Sequence, residues 1–137
     1  MIYRNFYKYI ADGTIDIDSD TIKVMLCDNS YVPDISHEFK SQITGEVTGT
    51  GYTAGGATLS NKSVALDGNE SKFDADDIIW GGSTLSARFA VMYASTGNDT
   101  TSPLIAVWDF GADKVTNNSA FELTWSATGI LRFKAAA

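Results

Sequence analysis

Hydrophobic residues alternate with other residues at a period of two through most of the chain beyond residue 20, which is the spacing of a β-strand. The alternation is clearest in five segments: TIKVMLC (21–27), ARFAVMYA (87–94), PLIAVWDF (103–110), AFELTW (120–125) and ILRFK (130–134). In ARFAVMYA both alternating faces are apolar, so both are expected to be covered. Turn-forming clusters such as DNSYVPD, LDGNE and STGNDTTSP separate these segments. The pattern predicts a mainly β fold, either an antiparallel β-sandwich or a jelly-roll-like barrel.

A helical spacing is confined to the N-terminus. Ile2, Phe6 and Ile10 recur every four residues, and Gly13 can end a helix after Asp12. Aromatic residues are mediocre helix formers, so a helix this short needs a surface on which to lie. We therefore predict a short N-terminal helix ahead of the strands.

This helical segment is predicted to be an appendage, residues 1–13, attached to a single β-sandwich domain, residues 14–137. Arg4 and Lys8 make the segment slightly basic, whereas the rest of the chain is acidic. This charge favours an open docking patch over the alternative, in which the apolar side chains staple the helix onto the sandwich. The residues predicted to contact other proteins are Tyr3, Phe6, Tyr7 and Tyr9 in this segment and Tyr52 further along the chain.

Length and charge limit the classes of function. At 137 residues the chain suffices for one domain that needs no disulfide or metal to fold. The formal net charge of −7 argues against a general nucleic-acid-binding protein, because an acidic chain repels phosphate backbones. No segment has the apolar length of a membrane-spanning helix, and the N-terminus lacks the apolar core of a signal peptide. We predict no nucleic-acid or membrane partner.

The segment GTGYTAGG (49–56) places four glycines in eight positions, as a phosphate-binding loop does. Such a loop needs a strand before it, a helix after it and usually Lys-Ser/Thr at its end. Here ATLSNKSVAL (57–66) follows, which is typical of a strand, and the nearest lysine, Lys62, lies inside it. The glycines are therefore predicted to supply positive φ angles and room where two backbones or subunits come close. No nucleotide or other cofactor is predicted.

Two acidic clusters are candidate calcium ligands. DIDSD (16–20) has the spacing that begins an EF-hand loop, but its sixth position is Thr21 instead of glycine and its twelfth is Cys27 instead of glutamate. DADD (74–77) offers three further carboxylates. No full ligand set is visible, so we predict no metal site; a weak calcium site built from both clusters is the alternative.

Candidate catalytic groups are few. The single histidine, His37, lies beside Glu38 in the loop segment DISHEFK, where a surface position is expected, although triads assemble in space and spacing does not exclude one. The chain has no Gly-x-Ser-x-Gly nucleophile elbow. Its one cysteine, Cys27, lies in an apolar run and is expected to be a small buried hydrophobic residue. We predict no catalytic residue and no enzymatic activity, with a small hydrolase as the alternative.

The chain resembles a recurrent small virion protein of tailed bacteriophages and prophages in five segments: ADGTIDIDSDTIKVMLCDNSY, EVTGTGYTAGGATLSNKSVAL, FDADDIIWGGSTLSARFAVMY, TSPLIAVWDFGAD and FELTWSATGIL. The resemblance runs in the same order from about Phe6 to Phe133. Its most specific segments are GTGYTAGG, TIKVMLCD and PLIAVWDFG, whereas the N-terminal MIYRNFYKYI is divergent. The family contributes no catalytic residue.

The resemblance implies a bacteriophage virion structural protein, most specifically a capsid decoration (cement) protein. Its expected partners are the major capsid protein or other virion proteins and further copies of itself, with a trimer favoured. Its expected location is the virion, and the host cytoplasm during assembly. The alternatives are a tail or head–tail completion component and a receptor- or glycan-binding β-sandwich of a phage fibre. For the last of these, Trp80, Trp108 and Trp125 are candidate sugar-stacking residues, although their strand positions favour packing.

Overall fold

The structure is a computed structural model that describes residues 1–135. The last two positions of the predicted domain 14–137 lie outside the described residues. Within residues 1–135 the chain forms one α-helix and nine strands, in the order α1 (Arg4–Ala11), β1 (Ile22–Cys27), β2 (Ala57–Thr58), β3 (Ser63–Asp67), β4 (Glu70–Asp74), β5 (Ile78–Ser83), β6 (Ser86–Ala94), β7 (Leu104–Val115), β8 (Ser119–Leu123) and β9 (Leu131–Lys134). None of the helices in this part of the chain is long and apolar enough to cross a membrane.

The strands form three antiparallel sheets. A four-stranded main sheet has the order β2-β1-β6-β7, a three-stranded hairpin sheet has the order β3-β4-β9, and β5 pairs with β8 in a short sheet. The predicted mainly β, antiparallel and sandwich-like fold with one short N-terminal helix is confirmed. Over the described residues the sheets do not close into a barrel, so the jelly-roll-like barrel alternative is not the one adopted.

The principal hydrophobic core lies between the inner face of the main sheet and the two smaller sheets. Val24 and Met92 enter it from the main sheet, Phe73 from the hairpin sheet and Trp80 from the short sheet. All four side chains are buried. Burial of this apolar area is the main favourable contribution to folding and joins the three sheets into one body.

A second hydrophobic cluster covers the outer face of the main sheet. Met25 and Val91 point into it from β1 and β6, and Tyr31 packs over them from the long segment that follows β1. Because neighbouring residues of a strand point to opposite faces, the two clusters take alternate positions of β1 and β6. The prediction that both faces of ARFAVMYA are covered is confirmed.

The strand prediction was correct for the five segments with a clear alternation, which correspond to β1, β6, β7, β8 and β9. The predicted strand 57–66 is divided into β2 and β3, and β4 and β5 were not predicted. Strand β4, ESKFD, contains one fully buried apolar residue, Phe73, and β5, IIWGGS, has two glycines near its end, so neither shows a full alternation of apolar and polar residues. The segment FGAD lies inside β7, where Gly111 has a φ of 82° beside an irregularity in the pairing with β6.

The N-terminal segment belongs to the body of the protein, which corrects the predicted division into an appendage, 1–13, and a separate sandwich. Before α1 begins, the backbone N–H of Tyr3 donates to the Ile105 carbonyl at 3.1 Å, and the Val107 N–H donates to the Met1 carbonyl at 2.9 Å. The chain start therefore forms an isolated antiparallel β-bridge with β7, between Ile2 and Ala106. The Phe6 ring then enters the principal core and lies 6.4 Å from the Phe133 ring, between centroids.

Candidate functional site

The glycine segment GTGYTAGG forms a loop whose amides are directed inward. The Gly55 N–H donates to the Glu46 carboxylate at 2.9 Å, and the Gly56 N–H donates to the Thr53 carbonyl at 2.9 Å. The loop runs into strand β2 and not into a helix. Two of its amides are thus satisfied by acceptors within the protein, and no helix N-terminus adds to them, so the geometry differs from that of a phosphate-binding loop.

The loop glycines allow close contact between backbones. Gly55 and Gly56 have φ angles of 94° and 81°, which favour glycine. A Cβ atom at Gly56 would lie only 1.9 Å from the carbonyl oxygen of Val24 and 2.7 Å from the Met25 Cα, whereas one at Gly55 would find its nearest atoms at 3.4 Å. The prediction that the glycines supply positive φ and a close backbone approach is confirmed.

Tyr52, predicted to be displayed for contact, is instead an internal anchor of the glycine loop. Its hydroxyl donates to the Glu46 carboxylate at 2.8 Å and accepts the Leu26 N–H at 3.1 Å. Its ring lies 6.2 Å from Trp80, between centroids. Burial is the main cause that raises the pKa of the Tyr52 phenol, with the Glu46 carboxylate adding to it. The prediction that Tyr52 is a contact residue is therefore corrected, because its phenol is already bound.

The four aromatic contact candidates of the N-terminal segment divide into buried and accessible residues. Tyr3 and Phe6 are fully buried, and the Tyr3 hydroxyl is hydrogen-bonded to that of Tyr31 at 2.7 Å. Both are therefore corrected from contact residues to core residues. Tyr9 is half-buried and donates to Glu38, a hydrogen bond that, with some burial, raises the pKa of Tyr9 to about 12. Tyr7, at 55% exposure, is the most accessible of the four.

The candidate nucleophile, Cys27, and the candidate base, His37, both lie at the outer hydrophobic cluster. Cys27 is fully buried, and this burial is the main cause that raises the pKa of its thiol to about 12, which leaves the thiol protonated at neutral pH. The expectation that Cys27 is a small buried hydrophobic residue is confirmed. The His37 ring stacks on Tyr31 at 5.9 Å between centroids, and its Nδ1 is 3.1 Å from the Tyr31 hydroxyl. His37 thus contacts the outer hydrophobic cluster.

The two acidic clusters have structural partners. The Asp16 carboxylate accepts the Asp18 N–H at 3.2 Å, and the Asp20 carboxylate accepts the Asp16 N–H at 2.9 Å, so DIDSD forms a local turn. In DADD, the Asp76 carboxylate accepts the Asn61 side-chain amide at 2.6 Å. Among residues 1–135, no group of three or more histidines, cysteines and acidic residues is placed to hold a metal ion.

An aromatic groove between β7 and the end of β8 brings together two of the candidate sugar-stacking tryptophans. Trp108 and Trp125 pack together with their ring centroids 5.2 Å apart, and both are half-buried. They line a cavity of about 340 Å³ whose polar members include Asp109, Thr124 and Ser126. We call this site the Trp108–Trp125 groove. Trp108 lies in β7 and Trp125 follows the end of β8, so no local spacing could bring them together in a sequence-based prediction.

The acidic cluster DADD positions one wall of this groove. The indole Nε1 of Trp125 donates to the Asp76 carbonyl at 3.1 Å, and the Trp125 backbone N–H donates to the Asp77 carboxylate at 2.8 Å. On the other wall, Arg88 forms a two-point ion pair with Asp109, and this contact lowers the pKa of the Asp109 carboxyl. Both walls are held by defined polar contacts, so the groove is pre-organised.

Comparison of the chain with protein-family models, with curated proteins and with solved structures finds no match. Three surfaces of the described part of the chain are candidate interaction sites: the outer face of α1, the Trp108–Trp125 groove and the exposed edges of the sheets.

Proposed function

We propose that this protein is a bacteriophage virion structural protein that decorates the head by binding the lattice of the major capsid protein. The position of the three most specific segments of the resemblance carries this proposal. GTGYTAGG is seated on β1, which contains IKVMLC, and PLIAVWDFG forms the first part of β7. Strands β1 and β7 both neighbour β6. The three segments therefore belong to one region of the fold. This supports a resemblance that extends over the fold, as opposed to three unrelated similarities of short segments.

The body has the mechanical and electrostatic properties that attachment to a repeating lattice requires. The central strands of its main sheet, β1 and β6, are buried on both faces, which gives a rigid platform. The net charge of −7 keeps an abundant assembly protein soluble and directs its approach to a partner. We propose that the protein has no enzymatic role, is located in the virion, and is present in the host cytoplasm during assembly.

The outer face of α1 is the capsid-contact surface in this proposal. Because Phe6 anchors the inner face of the helix, Arg4, Tyr7 and Lys8 are left exposed on the helix surface. Lys8 forms an exposed ion pair with Asp12 at 3.0 Å, so Arg4 contributes more to the positive charge of this face. An exposed tyrosine beside an arginine is typical of residues that dominate protein interfaces. The trimer implied by the resemblance stays a prediction.

Replacing Tyr7 with alanine is expected to weaken binding to undecorated capsids by about tenfold, because an interface tyrosine commonly contributes this much. The measurement is co-sedimentation of purified protein with capsids, across a concentration series. Val32→Ala removes a comparably exposed apolar side chain elsewhere and is the matched control, expected to bind as the unchanged protein does. If Tyr7→Ala binds normally as well, the outer face of α1 is not the contact surface.

Copy number separates head decoration from the tail alternative. In purified virions a decoration protein is present in a number of copies comparable to that of the major capsid protein, since it occupies repeated lattice positions. A tail or head–tail completion component is instead present only in the few copies that form one ring of the tail or of the head–tail junction. Quantitative mass spectrometry of virions distinguishes these two outcomes, and the second would overturn the proposal.

Glycan binding is a second candidate function, and the Trp108–Trp125 groove is the observation that favours it. Aromatic faces beside fixed polar groups suit a sugar ring, which has apolar C–H faces and a hydroxyl rim. Here two half-buried tryptophans lie beside Asp109, whose carboxylate is held by Arg88. In this alternative the protein would recognise a polysaccharide of the host surface from a phage fibre.

Trp108→Ala is expected to reduce glycan binding at least about tenfold in this alternative, because loss of one stacking ring removes an anchor of the site. Binding is measured by titration against bacterial surface polysaccharides and a glycan array. Ile79→Ala, an exposed change on β5, is the control and is expected to leave binding unchanged. Absence of saturable binding by the unchanged protein to any glycan would rule out this candidate.

A further inference from the structure

Strand β3 is an uncovered edge of the hairpin sheet. All five of its residues are exposed, including Leu66 at 83% and Val64 at 44%. It pairs with β4 on one side, and no strand of residues 1–135 pairs with it on the other. The edge also lacks the proline and lysine residues that commonly protect such strands from pairing. We call residues Ser63–Asp67 the β3 edge.

The hairpin turn determines which backbone groups of the β3 edge are free. Asp67 pairs with Glu70 across the two-residue turn Gly68-Asn69, in which Gly68 has a φ of 64°. In a two-residue hairpin the two residues that flank the turn form two backbone hydrogen bonds with each other. Along the hairpin, every second pair of opposite residues is hydrogen-bonded in the same way. The backbone groups of residues 63, 65 and 67 are therefore directed at β4, and those of residues 64 and 66 are directed outward.

The sequence of the β3 edge is self-complementary about its central residue, Ala65. An antiparallel pairing of two copies centred on Ala65 places Val64 opposite the partner's Leu66, and Leu66 opposite the partner's Val64. These are the residues whose backbone groups are free, so both pairs can exchange their hydrogen bonds. The one charged residue of the strand, Asp67, then faces the partner's Ser63, a hydroxyl donor, and no like charges are opposed. Asp67 is already neutralised by Arg132 at 3.0 Å.

We propose that the β3 edge is a self-association surface through which two copies of this chain join their hairpin sheets into one continuous six-stranded sheet. The contact is isologous, so it closes as a pair and does not extend into a fibre. The proposal is independent of head decoration, since it concerns an edge of the hairpin sheet and not the outer face of α1.

An apolar groove next to the β3 edge gives a second reason for choosing another copy as the occupant. The groove has a volume of about 640 Å³ and is lined by Ile10, Ile15, Ile17, Val64 and Phe133 among others. In the proposed pairing the partner's Leu66 lies beside Val64, at the mouth of this groove. The most exposed leucine of each copy thus gains apolar neighbours in the other, which is the driving force for association.

The register of the proposed pairing can be tested with single cysteines in the full-length chain. In Ala65→Cys the two introduced thiols face each other across a non-hydrogen-bonded pair, with Cα atoms roughly 4.5 Å apart, which permits a disulfide. Mild oxidation is expected to convert most of this variant into a covalent dimer on a non-reducing gel. Wild-type protein is expected to stay monomeric on that gel, because its single cysteine, Cys27, is fully buried.

Ser63→Cys is the matched control, since its side chain is on the same face of the same strand. In the proposed register the two introduced cysteines lie four positions apart along the strand, roughly 13 Å, which is beyond disulfide reach. Ser63→Cys alone is expected to stay monomeric, and a mixture of Ser63→Cys with Asp67→Cys to give the heterodimer. Equal cross-linking of Ala65→Cys and Ser63→Cys, or no cross-linking of Ala65→Cys, would overturn the proposal.

A charge on the β3 edge tests whether the pairing depends on Leu66. Adding Leu66→Lys to Ala65→Cys is expected to reduce cross-linking at least fivefold, because two lysines would be placed opposite the partner's valines. Ile79→Lys, at an exposed position of β5, is the control and is expected to leave cross-linking unchanged. Circular dichroism establishes that both variants are folded, as expected for exposed positions. Undiminished cross-linking with Leu66→Lys would contradict the proposed contact.

Discussion

Replacement of Gly56 with alanine is expected to lower the free energy of unfolding by about 4 kcal/mol or more, a large part of the stability of a domain. The positive φ of 81° contributes backbone strain of about 1–3 kcal/mol for a residue with a Cβ atom. The larger contribution comes from the collision of that Cβ with the Val24 carbonyl, which cannot move without disturbing β1 at the centre of the main sheet. Equilibrium unfolding in urea measures the effect.

Gly55→Ala is the control for this prediction because it shares the strain but not the collision. Its φ is 94°, and the nearest atoms to an added Cβ are the Lys23 Nζ and the Tyr93 Oη, both at 3.4 Å. These are side-chain ends that can shift. The expected loss is about 1–2 kcal/mol, the usual cost of a left-handed residue. Equal stability of the two variants would mean that the close approach of the loop to Val24 does not limit the fold.

Replacement of Phe6 with alanine is expected to lower the free energy of unfolding by about 3–5 kcal/mol, because it leaves a cavity in the principal core. The ring is fully buried and packs against Phe133 of β9. Unfolding in urea again measures the effect, and the slope of the transition is expected to stay unchanged. Removal of residues 2–11 is expected to prevent folding, since it also removes the backbone hydrogen bond from Tyr3 to Ile105.

Tyr7→Ala is the matched control for Phe6→Ala, because it removes an aromatic ring from the next position of the same helix. Tyr7 is 55% exposed, so the expected loss is within about 0.5 kcal/mol. The contrast between neighbours distinguishes core packing from helix propensity, which is similar for phenylalanine and tyrosine. A truncated chain that folds normally without residues 2–11 would restore the interpretation of this segment as an appendage.

The fold class was predictable because strand periodicity is a local property. Segments such as 21–27 and 87–94 carry their alternation within a few residues, and each became a strand of the main sheet. Strand β4 was not predicted because only one of its residues, Phe73, is buried in the core, and one apolar residue gives no alternating pattern. Its place depends on pairing with β3 and β9, and β9 is distant in the sequence.

The candidate sites were harder to predict, because aromatic residues serve equally well in cores and at interfaces. Tyr3, Phe6 and Tyr52 were predicted to be contact residues from their positions in unusual segments. The structure instead places their rings against other elements and binds the Tyr52 phenol to Glu46. Trp108 and Trp125 were candidate sugar-stacking residues, but their meeting in one groove was not predicted, because Trp108 lies in β7 and Trp125 follows the end of β8.

The sequence by itself determined the mainly β fold, the short N-terminal helix, the buried character of Cys27 and the structural use of the glycine loop. Each of these follows from residue types and spacings over a few positions, where local sterics and hydrophobic alternation act. Only the tertiary structure decided that the helix belongs to the core, that Tyr52 is internal and that the β3 edge is uncovered. These properties depend on which surfaces pack together across long sequence separations. Hydrophobic burial is non-directional, so the sequence of one segment does not specify which other segment will cover it.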